Sequence, residues 1–244
     1  MKIRAFFFDI DGTFYNYKAA QEYAVNELSV MANRLTNIPP ELFRKLYYRV
    51  YKDVIALSEK EGPDIFRKEI MLRRVFSIST FHASDRIIKF LAEKYYEKIL
   101  KKTVAFEDAR ETLIFLKNYG FKLGVISDGF REIQLARLKK LGLLDLFDDD
   151  SVVISEDIGV NKPSPKIFLE AFRRLNVYPQ ESVVVGDNLV KDNKTAKKLG
   201  ALTIWINRYM SHSLMNTPEV DYADFMVRNL REICIITQKF ILMQ

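Results

Sequence analysis

The stretch Ile3-Arg-Ala-Phe-Phe-Phe-Asp-Ile-Asp-Gly-Thr13 decides how the rest of the chain is read. Residues 3–8 form an apolar run that stops at acidic residues and a glycine. That is the pattern of a short parallel strand buried on both faces, and it delivers Asp9 at its C-terminal end. Asp9 and Asp11, at positions i and i+2, then flank one small volume. Gly12 permits a tight turn, and the backbone N–H groups after Asp11 can receive phosphate oxygens. Open parallel sheets bind their ligands at this place, outside the carboxyl ends of the strands.

Working outward, the same design recurs at FKLGVIS (121–127), SVVIS (151–155), SVVVGD (182–187) and ALTIWI (201–206). Each run is short, rich in branched or aromatic residues, and bounded by polar or glycine punctuation. Helical patterns lie between them. Residues 107–119 place Leu113 and Leu116 at helical spacing and stop at Gly120, and 130–141 stop at Gly142 in the same way. Ser164 fits an N-cap and Pro165 the first helical position, with Phe168, Leu169, Phe172 and Leu175 as the buried stripe. Strands alternating with helices predict an α/β fold, a Rossmann-like parallel sheet with helices on both faces.

Residues 17–103 break this rhythm and predict an inserted all-helical domain, leaving 1–16 and 104–244 as the core. Ala24, Leu28, Met31 and Leu35 share one expected face. Phe43, Leu46, Tyr47, Val50, Tyr51 and Val54 share another, after the Pro39-Pro40 boundary. Two more helices are expected near 64–77 and 84–100, and the connections near 15–18 and 101–105 are expected to act as hinges. The aromatic trio Tyr47, Tyr48 and Tyr51 reads as the insertion's own core.

Composition narrows the function classes. With 244 residues and 48% hydrophobic content the chain can bury a large core and a smaller second one. No stretch approaches the roughly 20 apolar residues of a membrane span, and acidic residues arrive too early for a signal peptide, so a cytoplasmic location is expected. The single cysteine, Cys234, excludes an intramolecular disulfide, and no cysteine or histidine cluster has zinc spacing. Any metal must therefore rest on oxygens. His82 and His212 are read as incidental. The net charge of +6 is spread over pairs such as Arg73-Arg74, Lys139-Lys140 and Lys197-Lys198, which read as solvated helix faces; neither a nucleic-acid nor a membrane partner is expected.

Asp9-Ile-Asp-Gly-Thr13 after an apolar strand resembles the first motif of the haloacid dehalogenase (HAD) superfamily. Ser127, ending a sheet strand in Val125-Ile-Ser-Asp-Gly129, matches the second, and Lys162 in Asn161-Lys-Pro-Ser-Pro165 the third. Gly186-Asp187-Asn188 and Asp192 match the fourth. The resemblance spans roughly 2–16 and 104–228. Two departures border the substrate entrance: Phe14-Tyr15-Asn16 where many members continue with Leu and an acidic residue, and Asp128 where Asn is frequent.

The resemblance implies a phosphohydrolase. Asp9 would attack phosphorus to form an acyl phosphate that water then cleaves, and Asp11 would serve as general acid and base. Asp9, Asp11, Asp187 and a phosphate dianion repel one another strongly unless cations intervene. Mg²⁺ on the side chains of Asp9 and Asp187 and the backbone carbonyl of Asp11 would supply the remedy. Lys162 would add a fixed positive charge, and Ser127 Oγ would donate to a phosphate oxygen, with Asp128 beside the bound substrate. Asp192 and Asn188 would stand one layer back, Asp192 orienting Lys162 or a metal-bound water. The helical insertion resembles the cap of many members, which closes over the site and helps select the leaving group. The expected activity is a Mg²⁺-dependent phosphomonoester phosphatase acting on a small phosphorylated metabolite. A phosphomutase using the same residues and a silent phospho-ligand binding module are the alternatives, whereas dehalogenation proper needs neither the metal nor the acid/base carboxylate.

Overall fold

The computed structural model describes residues 2–209 and 217–242, the side chains of residues 59 and 240–242 excepted. His212 therefore lies outside the described residues, while His82 is exposed. The chain divides into two compact units, one of Met1–Asn16 with Ala105–Gln244 and one of Tyr17–Val104. In chain order, β1 (Ala5–Phe8) precedes α1 (Tyr17–Thr36), α2 (Pro40–Glu61), α3 (Lys68–Ser77) and α4 (Asp85–Lys101). Then come α5 (Glu107–Asn118), β2 (Lys122–Ser127), α6 (Arg131–Lys140), β3 (Val152–Ile154), α7 (Ser155–Ile158) and α8 (Pro165–Arg174). The chain ends through β4 (Ser182–Gly186), α9 (Thr195–Lys198), β5 (Leu202–Ile206), β6 (Phe225–Val227) and α10 (Arg231–Leu242).

The first unit is built on a six-stranded sheet of order β3-β2-β1-β4-β5-β6. Every pairing is parallel. This is the α/β, Rossmann-like sheet that the spacing of the strands predicts. All four residues of β1 are buried, as a strand between two parallel neighbours with both faces covered requires. Phe7 meets the Phe172 ring edge-on at 5.2 Å, and Phe6 meets Phe121 at 5.1 Å. Gly124 on β2 makes room for this packing, because a Cβ there would lie 2.6 Å from the Phe7 ring.

Helix α8 differs in one detail from its expected stripe. Ile167, Phe168, Ala171 and Phe172 are buried, Leu175 packs at the edge of that core, and Leu169 is 48% exposed. A helix lying flat on a sheet buries a stripe about two residues wide, and the inward choice falls on Ile167 and Ala171. Ser164 occupies the N-cap position without a side-chain capping bond, and Pro165 opens the helix.

The second unit packs α1 to α4 around its own core. Ala20, Ala24, Val25, Leu28 and Ala32 are the buried apolar face of α1, so Leu35 falls outside it at 45% exposure. The small side chains let the neighbouring helices approach closely. The α2 face is buried as its spacing predicts at Phe43, Leu46, Tyr47, Val50 and Val54. Tyr47 is fully buried, stacked at 6.4 Å on Phe43 and 6.2 Å on Tyr95, whereas Tyr48 is exposed. Among the described residues no helix is long and apolar enough to cross a membrane.

Candidate active site

Strand β1 remains paired to β4 up to the turn: Asp9 N donates to Val185 O at 2.9 Å. The chain then bends at Gly12, whose φ of 94° lies in the left-handed region. A Cβ at Gly12 would sit 2.1 Å from Asp187 Oδ2, so the glycine admits the carboxylate that follows β4. Gly186 does the same for Asp192, since its Cβ would lie 2.2 Å from Asp192 Oδ2. Both motif glycines are therefore spaces that carboxylates fill.

A π-helical turn at Leu189–Lys194 follows β4. Asn188 Oδ1 accepts from Val190 N at 3.1 Å and Lys191 N at 3.0 Å, capping the turn. The turn folds Asp192 back, and its Oδ2 accepts from Asn188 N at 3.0 Å. Trp205 on β5 donates its indole N–H to Asp187 O at 3.0 Å, which fixes the backbone there.

Lys162 is the hub of this arrangement. It is 3% exposed, and its Nζ donates to Asp9 Oδ1 at 2.6 Å, Asp192 Oδ1 at 2.7 Å and Ile126 O at 3.0 Å. Three ammonium hydrogens meet three acceptors, the full capacity of the group. Lys162 N also donates to Asp128 Oδ1 at 2.8 Å, while Asp128 Oδ2 pairs with Lys191 at 2.9 Å. Asp128 thus braces the loops after β2, before α8 and after β4 against one another.

Ionisation follows from this crowding. The Asp9 carboxyl is pushed up to about 7, first by burial and then by Asp192 and Asp11, with Lys162 pulling the other way. Asp187 is open to solvent on one side, yet desolvation by the surrounding protein and repulsion from Asp9 and Asp192 push it well up too. Burial opposes charge on Lys162, but Asp192, Asp9 and Asp128 outweigh it and hold the ammonium well above its ordinary range.

Asp9, Asp187 and Asp192 can each offer a carboxylate oxygen within 4.8 Å of the others. An all-oxygen donor set of this kind fits a hard divalent cation. Asp192 already serves Lys162 and the Asn188 N–H, so Asp9 and Asp187 are the carboxylates better placed to bind an ion directly.

Asp11 and Ser127 meet three further side chains, of which Arg137 and Gln134 were not singled out by the sequence. Tyr15 donates its hydroxyl to Asp11 Oδ1 at 2.7 Å, and Arg137 Nη1 pairs with Asp11 Oδ2. Gln134 Nε2 donates to Ser127 Oγ at 3.0 Å and Asp128 O at 2.6 Å. Gln134 and Arg137 lie one helical turn apart on α6, both buried. Polar residues at such spacing read as a solvated face; only their place on the helix directly after the Ser127 strand signals an inward role.

A family model described as haloacid dehalogenase-like hydrolase matches residues 3–200. A glyceraldehyde 3-phosphate phosphatase of Methanopyrus kandleri is 32% identical over 97% of this chain and 98% of its own. One of the same name from Pyrococcus furiosus is 27% identical over 98% and 94%. Among solved structures, the magnesium-bound HAD-hydrolase YfnB of Bacillus subtilis superposes with a TM-score of 0.76 at 24% identity, covering 97% of this chain and 99% of its own.

Proposed function

The chain belongs to the haloacid dehalogenase-like hydrolases, and within that family we propose that it is a Mg²⁺-dependent phosphatase cleaving a small phosphorylated metabolite through a phospho-aspartyl intermediate on Asp9. One observation carries the reading: a buried lysine grips Asp9 while Asp187 and Asp192 crowd the same small volume. Phosphoryl transfer needs a held carboxylate, and the crowded acidic groups around it fit the divalent cation that would supply the positive charge.

Lys162 holds one oxygen of Asp9 and so orients the carboxylate toward phosphorus. As the Asp9 oxygen bonds to phosphorus, the ester P–O bond breaks and the leaving oxygen takes a proton from the Asp11 carboxyl. A water then attacks phosphorus, gives its proton to Asp11, and releases phosphate and free Asp9. Ser127 Oγ donates to a phosphoryl oxygen in both steps, and Asp192 keeps Lys162 in place. Asp9, Asp187 and the Asp11 carbonyl would hold Mg²⁺, which when bound would supply the charge that keeps the carboxylates ionised beside a phosphate dianion. The relatives' shared name favours a three-carbon sugar phosphate as substrate, with the helical unit of Tyr17–Val104 in the cap's role of choosing the leaving group.

The test is phosphate release from a panel of phosphorylated metabolites, glyceraldehyde 3-phosphate among them, with Mg²⁺. Turnover is expected, ceasing on chelation, and Asp9→Asn lowers it by at least about a thousandfold because the covalent step is lost. Ligand binding with no turnover across the panel would reject the reading.

A further inference from the structure

Resting on that reading of the site, we propose that Arg137 and Gln134 on α6 are positioning residues that set the proton direction of Ser127 and the orientation of Asp11 together. The argument runs through donors and acceptors. Arg137 can only donate, and its Nη1 reaches Gln134 at 3.1 Å; the atom it meets must be the amide oxygen, Oε1. That contact leaves no ambiguity about which way the amide faces. The NH₂ end then points at Ser127 Oγ, 3.0 Å away, and at Asp128 O, 2.6 Å away.

Ser127 Oγ therefore accepts from Gln134, so its own proton must face another acceptor: Asp128 O lies at a long 3.5 Å, and a bound phosphoryl oxygen offers a better one. The same Arg137 Nη1 holds Asp11 Oδ2, and Tyr15 holds Asp11 Oδ1. Both oxygens of the proposed acid/base group are thus gripped, and Gln134 Nε2 lies 3.4 Å from Asp11 Oδ2 as well. A single guanidinium, 126 residues from Asp11 in sequence, ties that proton carrier through Gln134 to Ser127.

The surroundings protect this arrangement. Gln134 is 1% exposed and Arg137 6%, so water does not compete for their hydrogen bonds. Gly129 has a φ of 122°, and a Cβ there would stand 3.3 Å from Gln134 Nε2. The glycine after Asp128 thereby leaves room for the amide. Burying a guanidinium is costly unless it is paired, and a helix face meant only for solvent would not incur that cost.

The experiment compares the full chain with Arg137→Met, Arg137→Lys and Gln134→Met, using an aryl phosphate, an alkyl phosphate and inorganic phosphate as probes with Mg²⁺. An aryl oxide leaves easily without a proton, whereas an alkoxide needs one, so loss of a held Asp11 shows mainly on the alkyl ester. Arg137→Met is expected to lower kcat by about a hundredfold on the alkyl phosphate and about tenfold on the aryl phosphate. Arg137→Lys, still a buried donor-only cation, restores most of that loss, which a role in packing alone would not. Gln134→Met weakens inhibition by inorganic phosphate by about tenfold, the loss of one directed hydrogen bond.

Equal effects of Arg137→Met and Arg137→Lys, with one common factor on both esters, would overturn the proposal. So would unchanged phosphate inhibition in Gln134→Met. If Arg137→Met does not fold, Gln134→Met still decides by its phosphate inhibition, and Arg137→Lys by near-normal turnover of the alkyl phosphate, whose loss by one common factor on both esters would overturn the proposal. Absence of turnover in the unaltered chain would instead overturn the reading of the site.

Discussion

Gly12 and Gly186 show how much of this site is set by what a residue lacks. Each stands where a methyl group would lie inside a carboxylate, at 2.1 Å from Asp187 and 2.2 Å from Asp192. Gly12→Ala adds the strain of a left-handed φ, of order 1–3 kcal/mol, to that collision. The variant is expected to fold with a lower Tm and to lose the upward Tm shift that Mg²⁺ gives the unaltered protein; a scanning-fluorimetry titration with Mg²⁺ checks it. Asp9 carries a second consequence. Its carboxyl rises from 3.8 to about 7 in the folded protein, so the folded chain binds that proton more tightly than the unfolded chain does. Stability contributed by this group is therefore present at acid pH and is lost as pH climbs toward 7. The metal-free protein should show a Tm that falls from about pH 4 to about pH 7, Asp9→Asn should lessen that slope, and saturating Mg²⁺ should reduce it by taking the proton's place. A slope unchanged in Asp9→Asn would remove Asp9 as its source.

At the scale of elements, the buried strands were legible because parallel strands covered on both faces must be apolar throughout. The runs at 3–8, 121–127, 151–155, 182–187 and 201–206 correspond to β1 through β5 within one or two residues at their ends. Strand β6 escaped notice: it has three residues, lies at the sheet's edge, and exposes Met226 by 36%. Helix faces were read less well, as Leu35 and Leu169 show, since spacing alone does not say which of two adjacent leucine-bearing stripes turns inward. The carboxylates and Lys162 could be picked out because their motifs, in order along the chain, resemble those of the HAD superfamily. Arg137 and Gln134 could not, because a charged or amide side chain on a helix looks solvated until its partners across the sheet edge are known. The central strand offers a direct test of this packing. Phe7→Ala should cost about 3–5 kcal/mol, by removing a fully buried ring from between β2, β4 and α8, and urea denaturation would register it as a lower midpoint with an unchanged slope.

Over the whole molecule, one chain carries two independent cores, and the chemistry-bearing residues that it gathers belong to the first unit. Asp9 and Asp11 come from the segment before the helical insertion, whereas Ser127, Lys162, Asp187 and Asp192 come from the segment after it. The Lys162 to Asp9 contact spans 153 residues, so the site exists only when the sheet has assembled around β1. Lys162, Lys191 and Arg137 pair with carboxylates of the site, whereas Lys139, Lys140 and Lys198 lie on exposed helix surfaces. What the assembled sheet is claimed to do is bring phosphorus to Asp9. The most direct measurement is acid quenching of the full chain during turnover of an aryl phosphate with Mg²⁺, followed by peptide mass spectrometry. A phosphoryl group on the peptide containing Asp9, absent from Asp9→Asn, is the expected result; a phosphoryl group on Ser127 or Asp187, or steady turnover by Asp9→Asn, would contradict the account.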